Sequence, residues 1–475
     1  MRRAPALIVT FLAWSAALAA PAEDVVRVKL DDLLDRVRTE NPAVDIARAE
    51  LHKYQALFDR AYYAWAPRLK VDSVLVPLPE RRLLRECVDP TSPIGEIIPC
   101  PGQDVQTDER ITAETEIGIL VRVNAKLTFP LYTFGKVESA QRAARAGMEV
   151  GEAAVDLARA KLDFLVKKAW YGAQLAGSAL DILQDGRKKM REAKATIEAE
   201  LAKETGRFTS NDLRKLIVEQ AELEAGFLET EALSELAWES LRVAGGFAEG
   251  QKFELDSRDL EPVHVEARTP DAVLELASLT RPDLRMAEAA VRARAAQVDM
   301  ARADYYPNVA LVGIFGYAKG TTADDSPDPF ANDNYNYLSW GAVLGAELSL
   351  DYFANRSAVD QAGAALLKSQ AELATLRQKL RLEVVEEVGQ LNRRFREVEV
   401  RELAMKAGKA WLVSNSLNFG LGLATTDDLL TSLVAYSKAR LKYFEAIYQY
   451  NLSVARLSQT VGTELAVPAP PAAGE

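Results

Sequence analysis

Hydrophobic positions along this chain follow two periods, and the change between them marks the architecture. From Ile117 to Phe129 the odd positions are Ile117, Ile119, Val121, Val123, Ala125, Leu127 and Phe129, while the even ones include Gly118, Arg122, Asn124, Lys126 and Thr128, with Leu120 the exception. Leu338, Trp340, Ala342, Leu344, Ala346, Leu348 and Leu350 alternate in the same way with Ser339, Gly341, Gly345, Glu347 and Ser349. A two-residue period is that of a strand with one apolar face. Weaker copies of the pattern run from Leu69 to Val76 and from Val309 to Tyr317. The length and alternation fit membrane-spanning barrel strands. An ordinary β-sandwich is the competing reading, and the clean division into apolar and small-polar positions favours the membrane.

Elsewhere the chain reads as very long helices. Pro130 and Pro262 enclose 131 residues without a proline, and Pro329 and Pro468 enclose 138 more. Proline is the strongest helix breaker, so these gaps permit unbroken helices. Ala, Glu, Leu, Lys and Arg fill them, as helices prefer. Leu430, Val434, Ser437, Leu441, Phe444, Tyr448, Asn451 and Ala455 alternate four and three apart, the spacing of a coiled-coil seam. A packed antiparallel helical hairpin is expected there.

The two patterns occur twice. Asn41-Pro42 opens an Ala-rich helical run ending at Tyr62, Tyr63, Trp65 and Pro67; Arg281-Pro282 opens another ending at Tyr305, Tyr306 and Pro307. The corresponding prolines are 240 residues apart in both cases. Gly206…Thr209…Asp212 is echoed by Gly422…Thr425…Asp428, and Gly245 by Gly462. A repeat this long is one duplicated module rather than a solenoid of short units. The expected division is a signal peptide at 1–22, a first repeat at 23–245 and a linker at 246–281, then a second repeat at 282–464 and a disordered tail at 465–475. The strands are expected at about 68–76, 116–129, 308–318 and 337–350, and the helical hairpins at 136–245 and 355–462.

Charge and cysteine content narrow the function. Arg2 and Arg3, the apolar Ala6–Leu18 stretch and Ala17-Leu18-Ala19 have the order of a secretory signal. A net charge of −11 argues against nucleic acid as a partner. Cys87 and Cys100 are the two cysteines, and in an exported chain they are expected to close a loop as a disulfide. A free pair or a metal site is the alternative, but no further Cys or nearby His completes a ligand set. His52 and His264 carry no mark of a base or ligand, and no nucleophile–base signature stands out, so neither catalysis nor a cofactor is expected.

Four strands cannot close a barrel, because the smallest membrane barrels have about eight. An open sheet edge in lipid leaves backbone groups unsatisfied, so copies of the chain must pool strands. Two copies of helix–strand–strand–long helix–helix behind a signal peptide resemble the TolC family of outer-membrane channel proteins, over Leu30 to Gly462. The resemblance implies a mainly α fold with some β. In it, long helices form a coiled-coil barrel, and four strands per subunit build a transmembrane β-barrel in a trimer. It implies a homotrimer in outer-membrane lipid, with a periplasmic helical domain docking on an adaptor protein and an inner-membrane pump. The function implied is a passive exit duct of a tripartite efflux or type I secretion system. A soluble periplasmic coiled-coil adaptor or scaffold is the rival from another class; it would lack paired strands with a lipid-facing side.

The turns between the long helices are where the resemblance places function. Gly206, Thr209, Gly422 and Thr425 suit any helical hairpin, since Gly ends a helix and Thr caps the next; the resemblance adds docking to an adaptor. Asp212, Asp427 and Asp428 sit in first helical turns, where they favour the macrodipole. The resemblance makes them pore-constriction candidates, with Asp428 the best match, although Thr431 stands where a second acid would follow. Capping and pore lining are both open at these positions.

Overall fold

The computed structural model describes residues 26–79, 86–88, 97–99, 117–203, 208–248, 251, 253–266, 269–323, 325 and 333–466. The expected signal peptide, Cys100, Gly206 and all but the start of the expected tail therefore lie outside the described residues, and with Cys100 the proposed disulfide.

In chain order the elements are β1 (Val26–Val28), α1 (Leu30–Glu40), α2 (Pro42–Tyr62), a 3-10 turn (Tyr63–Trp65), β2 (Arg68–Pro79), β3 (Glu86–Val88), β4 (Ile97–Pro99), β5 (Ile117–Tyr132), α3 (Lys136–Ala202) and α4 (Ser210–Ala244). The second half supplies β6 (Phe253–Leu255), α5 (Pro270–Thr280), α6 (Pro282–Ala303), β7 (Asn308–Gly320), β8 (Tyr337–Glu347), α7 (Tyr352–Leu421) and α8 (Thr426–Val461). This is the mainly helical fold with a sheet that the two periods imply. Packing divides the chain into two compact units, residues 1–47, 155–282 and 378–475, and residues 48–154 and 283–377. Each draws on both repeats.

The repeated prolines act alike in both copies. Asn41 and Arg281, each preceding a proline, are extended, with ψ of 131° and 120°. The proline ring excludes the helical region for the residue before it and suits the first position of the next helix. So α1 and α5 stop, and α2 and α6 start, at the same point of each repeat.

The unit of residues 48–154 and 283–377 holds a four-stranded sheet in the order β2-β5-β7-β8. All neighbours are antiparallel, so the two repeats meet where β5 pairs with β7. Register shifts between Pro130 and Tyr132, where the missing N–H of proline interrupts the ladder. A separate small hairpin pairs Cys87 with Ile98.

In the other unit the long helices end in a shared core. Met190, Ile197, Phe208, Leu216, Leu412, Phe419, Leu429, Leu430 and Leu433 form one buried cluster around both turns, with the Phe208 and Phe419 rings 5.2 Å apart. The expected seam of α8 departs from this. Leu430, Asn451 and Ala455 are buried, but Val434 is 47% exposed. The buried stripe runs instead through Leu429, Leu433, Ile447, Tyr450, Val454, Leu457 and Val461. Val434 is the one position of the expected seam left exposed, and Ser437, Leu441, Phe444 and Tyr448 are half-buried. Asn451, polar yet 1% exposed, bonds backbone rather than a helix partner: Oδ1 accepts from Val263 N at 2.9 Å and Nδ2 donates to Glu261 O at 2.8 Å. The glycine echo also shifts by one residue. Gly462 is left-handed at φ 84°, whereas Gly245 is right-handed and Gly246 takes φ 67°.

Candidate functional site

Directly paired residues of an antiparallel sheet share a face, so the register sorts every strand residue. One face carries the rows Val71–Ala125–Phe315–Trp340 and Leu69–Leu127–Gly313–Ala342. Phe129, Leu311 and Leu344 extend it. Its large apolar side chains are exposed, Trp340 at 84%. Soluble monomers rarely expose so continuous an apolar surface. The opposite face carries Arg68–Thr128–Val312–Val343, Lys70–Lys126–Ile314–Gly341, Asp72–Asn124–Gly316–Ser339 and Val74–Arg122–Ala318–Tyr337. Among the described residues, β2 and β8 each have one neighbour in the sheet, which leaves both outer edges unpaired.

Aromatic residues gather where the strands meet helices. Phe134 stacks on Tyr306 at 5.4 Å and meets Tyr132 at 4.6 Å; Tyr352 lies 5.6 Å from Phe353 and 6.3 Å from Tyr305. Amphipathic rings gathered at the end of an apolar band are the arrangement of one membrane interface.

At the turns between long helices, the threonines and acids form matching capping boxes. The Thr209 N–H and hydroxyl donate to Asp212 Oδ2 at 2.9 and 2.7 Å, and Asp212 N–H donates back to Thr209 Oγ1 at 3.3 Å. Thr425 N–H and hydroxyl donate to Asp428 Oδ2 at 3.0 and 2.6 Å, and Asp428 N–H returns a bond to Thr425 Oγ1 at 3.2 Å. Each box satisfies donors that a helix start otherwise leaves free. Gly422, at φ 79°, closes α7, with Leu423 N–H donating to Asn418 O at 2.8 Å. The left-handed backbone there suits glycine. Asp427 takes no part in the box; it pairs with Lys215 of the other turn. Thus Asp212 and Asp428 are held by their caps, Asp427 joins the two tips, and Gly206 lies outside the described residues.

The side-chain and backbone hydrogen bonds from Thr209 hold the Asp212 carboxyl below its ordinary range, and those from Thr425 do the same for Asp428. These bonds favour the ionised form. A carboxyl whose pKa falls on folding stabilises the fold above its unfolded pKa, and that contribution is lost as pH drops through the folded value. Amide protection at 209–216 and 425–432, corrected for the intrinsic pH dependence of exchange, is therefore expected to fall on acidification below the ordinary aspartate range of about 4. Thr209→Ala or Thr425→Ala should loosen its own turn by about 1 kcal/mol at neutral pH. Protection factors that stay constant through this pH range would mean that the carboxylates do not hold the turns.

Neither the cations of the sheet's polar face nor the Lys215–Asp427 link was singled out from sequence. Arg122, Asn124 and Lys126 stood on the polar side of the alternation, which was the available signal. The partner of Asp427 lies 212 residues away and left none.

An open sheet with one apolar and one polar face, in a chain of long helical hairpins, is the arrangement that the resemblance to outer-membrane channel proteins implies. Residues 273–463 match the model of the family described as outer membrane efflux protein. The fold is shared with a membrane protein from Pseudomonas aeruginosa at 19% identity and a TM-score of 0.71, covering 92% of this chain and 91% of that one. The CmeC outer membrane channel of Campylobacter jejuni is similar at 14% identity and 0.68, with coverage of 97% and 95%. The open state of the Neisseria gonorrhoeae MtrE outer membrane channel is similar at 17% and 0.67, with coverage of 92% and 89%. No curated protein sequence matches the chain. The outer-membrane address and the resemblance read from the sequence agree with the family.

Proposed function

We propose that this chain is the passive exit duct of a tripartite efflux or type I secretion system, working as a homotrimer in the outer membrane. The observation that carries the reading is the four-stranded sheet, with an exposed apolar face and two unpaired edges. In lipid an unpaired strand edge costs several kcal/mol per backbone group, and closure abolishes it. Edge β8 of one copy joins edge β2 of the next, and three copies close a wall of twelve strands, within the known range of membrane barrels. The outward apolar face of α8 at Val434 finds its cover in a neighbouring copy. Residues 23–245 and 282–464 act as the duplicated modules, joined by 246–281.

The helix turns form the periplasmic mouth, where Thr209, Thr425 and Gly422 present the backbone to an adaptor. Asp427 and Asp428 ring the constriction, with Asp212 behind them. The Lys215–Asp427 pair links the two turns of one subunit, so opening requires its exchange for water. The duct hydrolyses nothing; the inner-membrane pump provides the energy. Native mass measurement of the chain in lipid nanodiscs tests the assembly. Three copies are expected, and a monomer recovered without detergent would overturn the reading.

A further inference from the structure

The polar face of the sheet is cationic, although the chain as a whole carries −11. Arg68, Lys70, Arg122 and Lys126 share this face with two carboxylates, Asp72 and Glu347. Lys70 meets Asp72 at 3.4 Å. Among the described residues Arg68 and Lys126 form no ion pair. Lys70 and Lys126 stand directly opposite each other in the register, a like-charged placement that destabilises a sheet. Arg122 Nη2 donates to Asn334 O at 3.2 Å, while its Nε is buried without a hydrogen-bond partner.

Edge protection does not account for this charge. Lysine and arginine on an edge strand deter unwanted pairing, and that reason serves Arg68 and Lys70 on β2. It does not serve Arg122 and Lys126, which lie on β5 between two neighbours. Space is also left over these side chains. An added Cβ on Gly341, in the row of Lys126, would meet nothing within 4 Å. At the helix end of the same face a cavity of about 670 Å³ is lined by Arg60, Arg68, Lys126, Lys136, Thr128 and Glu347. Lys136 is engaged there by Asp304.

We propose that this face is a cationic belt that selects anions, so that the cargo class of the duct is carboxylate- or phosphate-bearing solutes. The inference rests on the channel reading, which turns the polar face toward the lumen. Three copies bring three belts around one aqueous path. Low-dielectric walls focus such a field, and charges within about 8 Å of a solute are only partly screened at physiological salt.

The test uses the full chain reconstituted in planar bilayers under a KCl gradient, with citrate as the anionic probe. Because Asp427 and Asp428 favour cations at the constriction of the same path, the readout is the change in chloride-to-potassium permeability ratio between variants, and citrate should reduce the wild-type current. Arg68→Gln combined with Lys70→Gln and Lys126→Gln should lower the ratio by roughly threefold or more and relieve the citrate effect. Lys70→Arg with Lys126→Arg should preserve both. A ratio unmoved by the glutamine variant, or a wild-type current insensitive to citrate, overturns the inference while leaving a channel in place. Absence of any conductance steps removes the channel reading itself, and this inference with it.

Discussion

Replacing Val71 by arginine is expected to abolish the membrane-inserted assembly, whereas Lys70→Ala, one residue away, should leave it standing. Val71 is exposed at 57% on the apolar face, in the row of Ala125, Phe315 and Trp340. Adjacent strand residues point to opposite faces, so Lys70 belongs to the polar side. An arginine toward lipid near the bilayer midplane costs roughly 2–4 kcal/mol per copy, and the proposed trimer would incur the cost three times. A total of about 6–12 kcal/mol is comparable with the whole stability of a typical protein. Lys70→Ala removes one half of an exposed ion pair, worth about 1 kcal/mol or less. Outer-membrane fractionation and electrophoresis of the unheated protein give the measurement. Val71→Arg should leave no oligomer band, and Lys70→Ala should keep it. Equal survival of both variants would mean that the sheet does not face lipid.

The elements legible in the sequence are those whose signal is local. Ile117 to Phe129 alternates, Leu120 excepted, because one face is apolar along its whole length, and it is a strand. Asn41-Pro42 and Arg281-Pro282 mark helix boundaries because the ring sterics act on the preceding residue alone. Thr-x-x-Asp at both turns is a local motif, and both boxes form. The elements with no local signal depend on partners distant in sequence. β6 has three residues and pairs in parallel with β1, far earlier in the chain. α5 lies within the stretch read as a linker. Val434 fits a heptad seam, but a single-chain pattern cannot say which seam position the chain itself leaves exposed. The charge on the sheet's polar face was visible as letters. Its meaning depended on register, which puts Lys126 opposite Lys70 rather than beside a carboxylate.

Breaking the ion pair between Lys167 and Glu464 should destabilise the helical unit, and the loss should depend on which partner is removed. Lys167, in α3, has its side chain 7% exposed, and its ammonium is held by the Glu464 carboxylate, which is 40% exposed. Glu464 follows the left-handed Gly462 at the end of α8, a position where any Cβ would meet Pro282 Cδ at 2.8 Å. Ser458 fixes the same segment, accepting from Leu465 N at 3.1 Å. Tyr171 is also buried here, and burial, with the Glu464 charge behind it, pushes its phenol pKa up. Glu464→Ala leaves an ammonium buried without a counter-charge, a loss of about 3–5 kcal/mol, with the partial exposure of the pair favouring the lower end. Lys167→Met fills nearly the same volume with apolar atoms, and the freed carboxylate can turn to water, so its loss should be about 1 kcal/mol or less. The double variant should resemble Lys167→Met alone, because the uncompensated charge is gone. Urea midpoints of the helical signal for the three variants decide the matter. Equal losses from the two single variants would show that the segment after α8 is held by its backbone and Ser458 rather than by the charge pair.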